Sequence, residues 1–365
     1  MPTIVEANFF PKHWIYGEYD QAIHHSIQQQ IDQQFPNQQN FFFSTTWRPD
    51  PDHDTELQKY LHDGTQFDNL FVTATVDWAW FQYQTFIKEF AERTGVKNIY
   101  YLGNFDNPKP AHAPDNSTTI YFNFFAVVCR DHFEKYNTED LILTDPKYLF
   151  MSYNRKPYEH RLRFVKKLIE HNVKDLGVVT LGRQWDNPYD GNPVESDLYF
   201  SIGEKNEDYV KHGHWYDDGG SEHGIPHDLF SLHNMHYWKH HFLHIVGGTC
   251  QWNNADQFIN QIDFKPIIGL RPFLINGQTK NYNFWKTNGF RTFDNYFPVT
   301  DPWFLHGNTD SVQLELIKVI KYLSAMRHEE ILAMYNDMLP DLLYNRQRWY
   351  EWADEQKYQV EHLFQ

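Results

Sequence analysis

The chain has 365 residues, with 32 Lys or Arg against 48 Asp or Glu, a formal charge of −16. That charge opposes long-range attraction to nucleic acid and anionic membrane. Aromatics at 18% exclude a disordered chain. Two cysteines exclude a disulfide framework and cysteine-rich zinc modules. No run of about 18 apolar residues occurs, so no membrane-spanning helix is expected. The opening MPTIVEANFFPKHW lacks the basic-then-apolar pattern of a secretory leader, so a reducing, cytoplasmic setting is expected.

Apolar patterning alternates between strand and helix along the first 150 residues. Asn40–Trp47 reads as a strand and Thr55–His62 as a short helix. Leu70–Asp77 is a β-branched run of strand length. Ala79–Gly95 has helical spacing and stops at a glycine. Asn98–Leu102 and Tyr121–Cys129 read as further strands. No internal repeat stands out. The polar stretch between Lys135 and Lys147 is the expected linker. Beyond it come a strand at Tyr148–Tyr153, a helix at Pro157–His171 and a strand at Gly177–Gly182. Phe242–Val246 and Phe273–Ile275 read as strands, and Ala255–Asp263 as a helix. The chain from Ser311 reads as helical, interrupted at Pro340. The expectation is therefore α/β: two Rossmann-like domains, residues 1–147 and 148–310, with helices over 311–365 packing back on the body.

Positive charge concentrates in two islands. Arg155 to Lys167 carries Arg155, Lys156, Arg161, Arg163, Lys166 and Lys167 against one acid, Glu159. Phe264 to Phe293 carries Lys265, Arg271, Lys280, Lys286 and Arg291 without an acid before Phe293. The first island runs into a helix start, where backbone N–H groups favour an anion. Asn154 and Arg155 sit just past a strand, where open α/β sheets bind ligands. A solvated helix face is the plainer reading for Arg163, Lys166 and Lys167.

Phe150–Lys167 (FMSYNRKPYEHRLRFVKK) resembles the start of the second domain in a group of phage-encoded and bacterial glycosyltransferase-like proteins. The resemblance continues through Leu243–Asn276 and Asn288–Phe297 (NGFRTFDNYF), covering roughly residues 148 to 300. It implies a GT-B-like fold. The second domain would hold a nucleotide-sugar donor as co-substrate, with no tightly bound cofactor and no metal. Asn154, Arg155, Arg161, Thr249, Gln261 and Lys265 would line the donor site. The acceptor, whether glycan, protein or modified DNA base, would enter from the first domain, in a host cytoplasm if the chain is viral. Two positions depart from the family pattern. Gly247-Gly248-Thr249 replaces Ser-Glu-Thr, and Asn260-Gln261-Ile262-Asp263 replaces Thr-Glu-Lys-Thr. These departures suggest a retuned donor site or a non-catalytic descendant of the fold.

Sugar transfer by inversion needs a base for the acceptor hydroxyl. Asp77, ending the LFVTATVD run, is the candidate, and a helix N-cap is its alternative role. Nine histidines fall between residues 212 and 244. They lack the H-E-x-x-H spacing of familiar metalloenzymes, so packed histidines are expected rather than ligands. Neither a Walker phosphate loop nor a G-x-S-x-G elbow is present, which weighs against simple ATPase and α/β-hydrolase chemistry.

Overall fold

A computed structural model describes residues 3–8, 17–45, 66–74, 79–103, 116–154, 159–181, 232, 235–248, 259, 261–277, 280–298 and 309–365. The chain divides into two compact units: Met1–Val128 with Ala353–Gln365, and Cys129–Trp352. Each holds an all-parallel, Rossmann-like sheet.

The first sheet has five strands: β1 (Ile4–Asn8), β2 (Asn40–Thr45), β3 (Asn69–Ala74), β4 (Asn98–Gly103) and β5 (Ser117–Tyr121). Their order in the sheet is their order in the chain. Helix α1 (Gly17–Gln34) follows β1, and α2 (Ala79–Thr94) joins β3 to β4. Successive strand residues face opposite sides. Phe41, Phe43, Leu70, Val72, Ile99 and Tyr101 therefore share one face, where Ile87 and Phe90 of α2 complete a buried cluster. On the other face Phe71 stacks on Tyr100 at 4.7 Å. Phe35 and Phe364 pack edgewise and tilted against that pair.

Strands β2, β3 and β4 recur every 29 residues, and the repeat is visible in side-chain bonding. Asn69 Nδ2 donates to Asn40 Oδ1 at 2.8 Å, and Asn98 Nδ2 donates to Asn69 Oδ1 at 2.9 Å, each pair 29 residues apart. One position earlier, Gln39 N–H and Lys97 Nζ both donate to Asp68. Those contacts hold the Asp68 carboxyl below its ordinary range, the Lys97 hydrogen bond first. The units share little beyond a polar residue, an Asn and three apolar positions (QNFFF, DNLFV, KNIYY). That is too little to show as a repeat in sequence alone.

The second sheet has four strands: β6 (Tyr148–Asn154), β7 (Gly177–Leu181), β8 (His241–Gly247) and β9 (Phe273–Asn276). Its order is β7-β6-β8-β9, so the chain steps one way from β6 and then returns past it. Every residue of β8 is buried, as suits a strand inside a parallel sheet. Among the described residues, seven α-helices accompany this unit: α3 (Phe124–His132), α4 (Glu159–Glu170), α5 (Met235–His240), α6 (Gln261–Ile268), α7 (Lys280–Thr287), α8 (Thr309–Ser324) and α9 (His328–Glu361). The unit boundaries fall inside α3 and α9. Much of the aromatic content is core here. Trp285 is fully buried, with Phe264, Phe273, Phe284, Phe290 and Trp352 around it.

Residue 147, the expected boundary, lies within the second unit. Residues before it are tied there by specific bonds. Phe133 packs on Trp349 at 6.0 Å, and Arg346 donates to Tyr136 O and Thr138 Oγ1. Arg271 Nη1 donates to Leu141 O at 2.7 Å.

Two element expectations are corrected. Tyr121–Cys129 is not a strand: β5 ends at Tyr121 and α3 begins at Phe124. Asn123 Oδ1 accepts from Ala126 N–H at 2.8 Å, an N-cap that starts a helix in a short apolar run of ambiguous period. Residues 255–258 and 260 of the helix expected over Ala255–Asp263 lie outside the described residues, and α6 runs from Gln261 to Ile268 with Pro266 inside it. Pro340 does not interrupt the last helix, which runs unbroken through it. The break comes earlier, where Glu330 Oε2 reaches back to Arg327 N–H at 2.7 Å and starts α9. The helix read over Thr55–His62 lies outside the described residues.

Candidate functional site

A parallel sheet that reverses its strand order leaves a crevice at the carboxyl ends of the two strands flanking the reversal. In the second unit those strands are β6 and β8. Their last residues are Asn154 and Gly247, and both are buried. A Cβ at position 247 would stand 2.9 Å from Asn154 Oδ1 and 3.4 Å from Arg161 Nε. A side chain at 247 would have to displace the Asn154 amide.

The start of α4 closes over the same turn. Arg161 Nη2 donates to Gly247 O at 2.7 Å and to Gly248 O at 3.2 Å. His160 Nε2 lies 2.8 Å from Gly248 O, which assigns the ring proton to that nitrogen. Burial, with the Arg161 charge next to it, pushes the His160 imidazole down to about 3. It is a neutral donor.

Strand β9 supplies the next wall. Gly248 N–H donates to Asn276 O at 3.0 Å. A Cβ on Gly277 would come within 3.1 Å of Gly248 Cα. Helix α8 completes a ring of contacts. Gln313 Nε2 donates to His160 O at 2.8 Å and to Asn276 Oδ1 at 3.1 Å. Asn154 Nδ2 turns back to Ser152 O and Oγ. These bonds fix which end of each amide faces where. Three amide atoms are left without a hydrogen bond: Asn154 Oδ1, Asn276 Nδ2 and Gln313 Oε1. All three side chains are fully buried.

The sequence-derived candidates divide as follows. Asn154 and Arg161 meet at Gly247. Lys265 is buried on α6 beside Cys129, whose thiol burial pushes up while the lysine charge opposes the shift. Gln261 is the first residue of α6. Arg155, Thr249 and Asp77 lie outside the described residues. The cationic islands are met locally. Arg163 pairs with Glu159, Lys167 with Asp310 at 3.2 Å and Arg291 with Asp341. Arg271 is fully buried, donating to the carbonyls of Leu141, Gly269, Leu270 and Trp238. An acid distant in sequence thus meets Arg291 of the stretch that reads as acid-free.

Asn276, Gln313 and His160 were not singled out by sequence reasoning. Their common signal is position at strand and helix ends around a reversal, and strand order is not written in any local pattern. Among the described residues, no group of three or more His, Cys, Asp or Glu is arranged to hold a metal ion. Most of the histidine-rich stretch from 212 lies outside them. No described helix is long and apolar enough to cross a membrane.

Elsewhere, the first unit has an open cavity of about 510 Å³ by α1, lined by Gln21, His24, His25, Gln28 and Phe42 among others. No known protein family, curated protein or solved structure matches the chain.

Proposed function

We propose that the chain is a nucleotide-sugar-dependent glycosyltransferase whose donor enters the β6–β8 crevice. The observation that carries this is the glycine-walled ring of buried polar groups at the strand-order reversal. Open α/β sheets take their ligands at that point. The family resemblance over residues 148 to 300 puts a donor on the same segments, after β6 and β8. A GT-B arrangement of the two units, a base at Asp77 and Arg155 on the diphosphate belong to the same reading.

The test is calorimetry with a panel of nucleoside diphosphate sugars. Release of free nucleotide is then assayed with oligosaccharide, protein and hydroxymethylated DNA acceptors. Saturable binding with acceptor-dependent release is expected. No binding at millimolar concentration overturns the reading.

A second reading, a non-catalytic binding protein on the same fold, is favoured by one contact. Arg161 Nη2 is spent on the Gly247 and Gly248 carbonyls, and Gly248 stands where the family has an acid. Binding without release supports it. The DNA-base acceptor is the least favoured, because a −16 chain works against phosphate contacts. Retention of hydroxymethylated DNA in a low-salt gel shift is its signature.

A further inference from the structure

Helix α5 carries two histidines one turn apart, and neither belongs to the crevice described above. His236 and His240 stand four residues apart in Met235–His240, so they share one side of the helix. His241 and His244, which follow them, are packed residues, both buried against the Trp238 ring. His236 is exposed and His240 half-buried. Trp238, two positions from each, anchors the inner side of the helix, where its Nε1–H donates to Gly269 O at 3.0 Å.

The spacing of the two rings is that of a chelate. Two imidazoles that hold one ion at about 2.0–2.1 Å, with a tetrahedral angle between the bonds, bring their ring centres to about 5 Å. The ring centres of His236 and His240 are 5.3 Å apart, and the rings are turned 66° to one another, so they do not stack. The proton on His240 is fixed by the main chain. Asp145 O, a carbonyl that can only accept, lies 2.9 Å from Nδ1, which therefore donates and leaves Nε2 with the lone pair a metal needs. Metal-binding histidines are commonly supported in this way, by a carbonyl on the nitrogen away from the ion. The Asp145 carboxylate, 3.7 Å from the same Nδ1, adds negative charge there. It also meets Lys147 Nζ at 3.4 Å and His328 Nε2 at 3.8 Å. It lies on the Nδ1 side and is not counted as a ligand, in keeping with the absence of a three-ligand group among the described residues.

We infer that His236 and His240 form a two-imidazole site for a divalent transition metal of the zinc, nickel and copper class, with water in the remaining positions. Imidazole nitrogen favours these ions, whereas magnesium and calcium take oxygen ligands. A chelate across one turn binds only the helical form of α5, so the ion stabilises the fold that holds it. A six-residue helix gains from this, being far too short to persist alone. The site stands apart from the transfer chemistry. His240 adjoins the first residue of β8, and the crevice lies at its last, about 20 Å away at the rise of a parallel strand.

The experiment is calorimetry on the full chain, stripped with a chelator, with zinc, nickel, copper and magnesium chlorides as probes. Saturable binding of the three transition metals at micromolar concentration is expected, with no response to magnesium. His236→Ala and His240→Ala should each remove one zinc-binding step or weaken it at least tenfold. His25→Ala, at an exposed histidine of the first unit, should leave that step unchanged. Diethyl pyrocarbonate modification of the unaltered protein, read by mass spectrometry, does not depend on any variant folding. Zinc should slow modification of His236 and His240 at least tenfold and leave that of His25 as it was.

Zinc binding that both variants retain in full overturns the inference, as does magnesium binding as tightly as zinc. So does modification of His236 and His240 at the same rate with and without zinc.

Discussion

The two sheets differ in one topological respect. The first adds strands in chain order from β1 to β5, whereas the second reverses at β6. In the first, Asn40, Asn69 and Asn98 bond strand to strand in a ladder, while Thr73 Oγ1 and Thr119 Oγ1 lack a hydrogen bond. The second leaves three amide atoms unbonded where its order reverses. Satisfied polar groups fix register, and unsatisfied ones cost stability unless something fills them. The contrast lies in the amides: a strand-to-strand ladder in the first sheet, and three unbonded amide atoms around the reversal of the second.

The largest effect expected is in the second unit. Arg271→Met leaves the carbonyls of Leu141, Gly269, Leu270 and Trp238 without their donor. Loss of about 3–5 kcal/mol is expected in urea unfolding, as for a broken buried charged network. A loss under about 1 kcal/mol would show that these bonds hold nothing together. Next comes the ladder. Asn69→Leu strands Asn40 Oδ1 and Asn98 Nδ2 and is expected to cost about 2–3 kcal/mol. Ligand affinity in that variant should stay unchanged, which separates the roles of the two sheets.

Acid gives a smaller, graded effect. Burial holds both His160 and His241 below the ordinary histidine value, to about 3 for His160. Arg271 and His244 reinforce this at His241. The unfolded chain takes up these protons near pH 6.5, and the folded chain does not. Stability is therefore complete above that pH and falls below it, by about 1.4 kcal/mol per pH unit for each such histidine. Melting temperature should drop between pH 7.5 and 5.5, and His160→Gln should shrink the drop. The smallest effect is at the surface. Arg163→Ala breaks an exposed pair with Glu159 and should change stability by less than about 0.5 kcal/mol.

The sequence showed most strands of both sheets, because their apolar runs are bounded by polar or glycine residues. Strand β8 was read within one residue at each end. The run around Val127 was misread because a short apolar segment has no period, and only the Asn123 cap distinguishes it. The site was legible at Asn154 and Arg161, which follow a readable strand. Asn276 and Gln313 were not, since 37 residues separate them and only folding joins them. The partners of Lys167 and Arg291 were hidden for the same reason, as Asp310 and Asp341 reach them from far along the chain.

The central claim is that ligand chemistry belongs to the reversal in the second sheet. Hydrogen exchange with and without a panel of nucleoside diphosphate sugars tests it most directly. The account predicts new protection in peptides carrying Asn154 to Arg161 and Ile245 to Gly248, with β2 to β4 unchanged. Protection confined to the first sheet or its α1 cavity would contradict it.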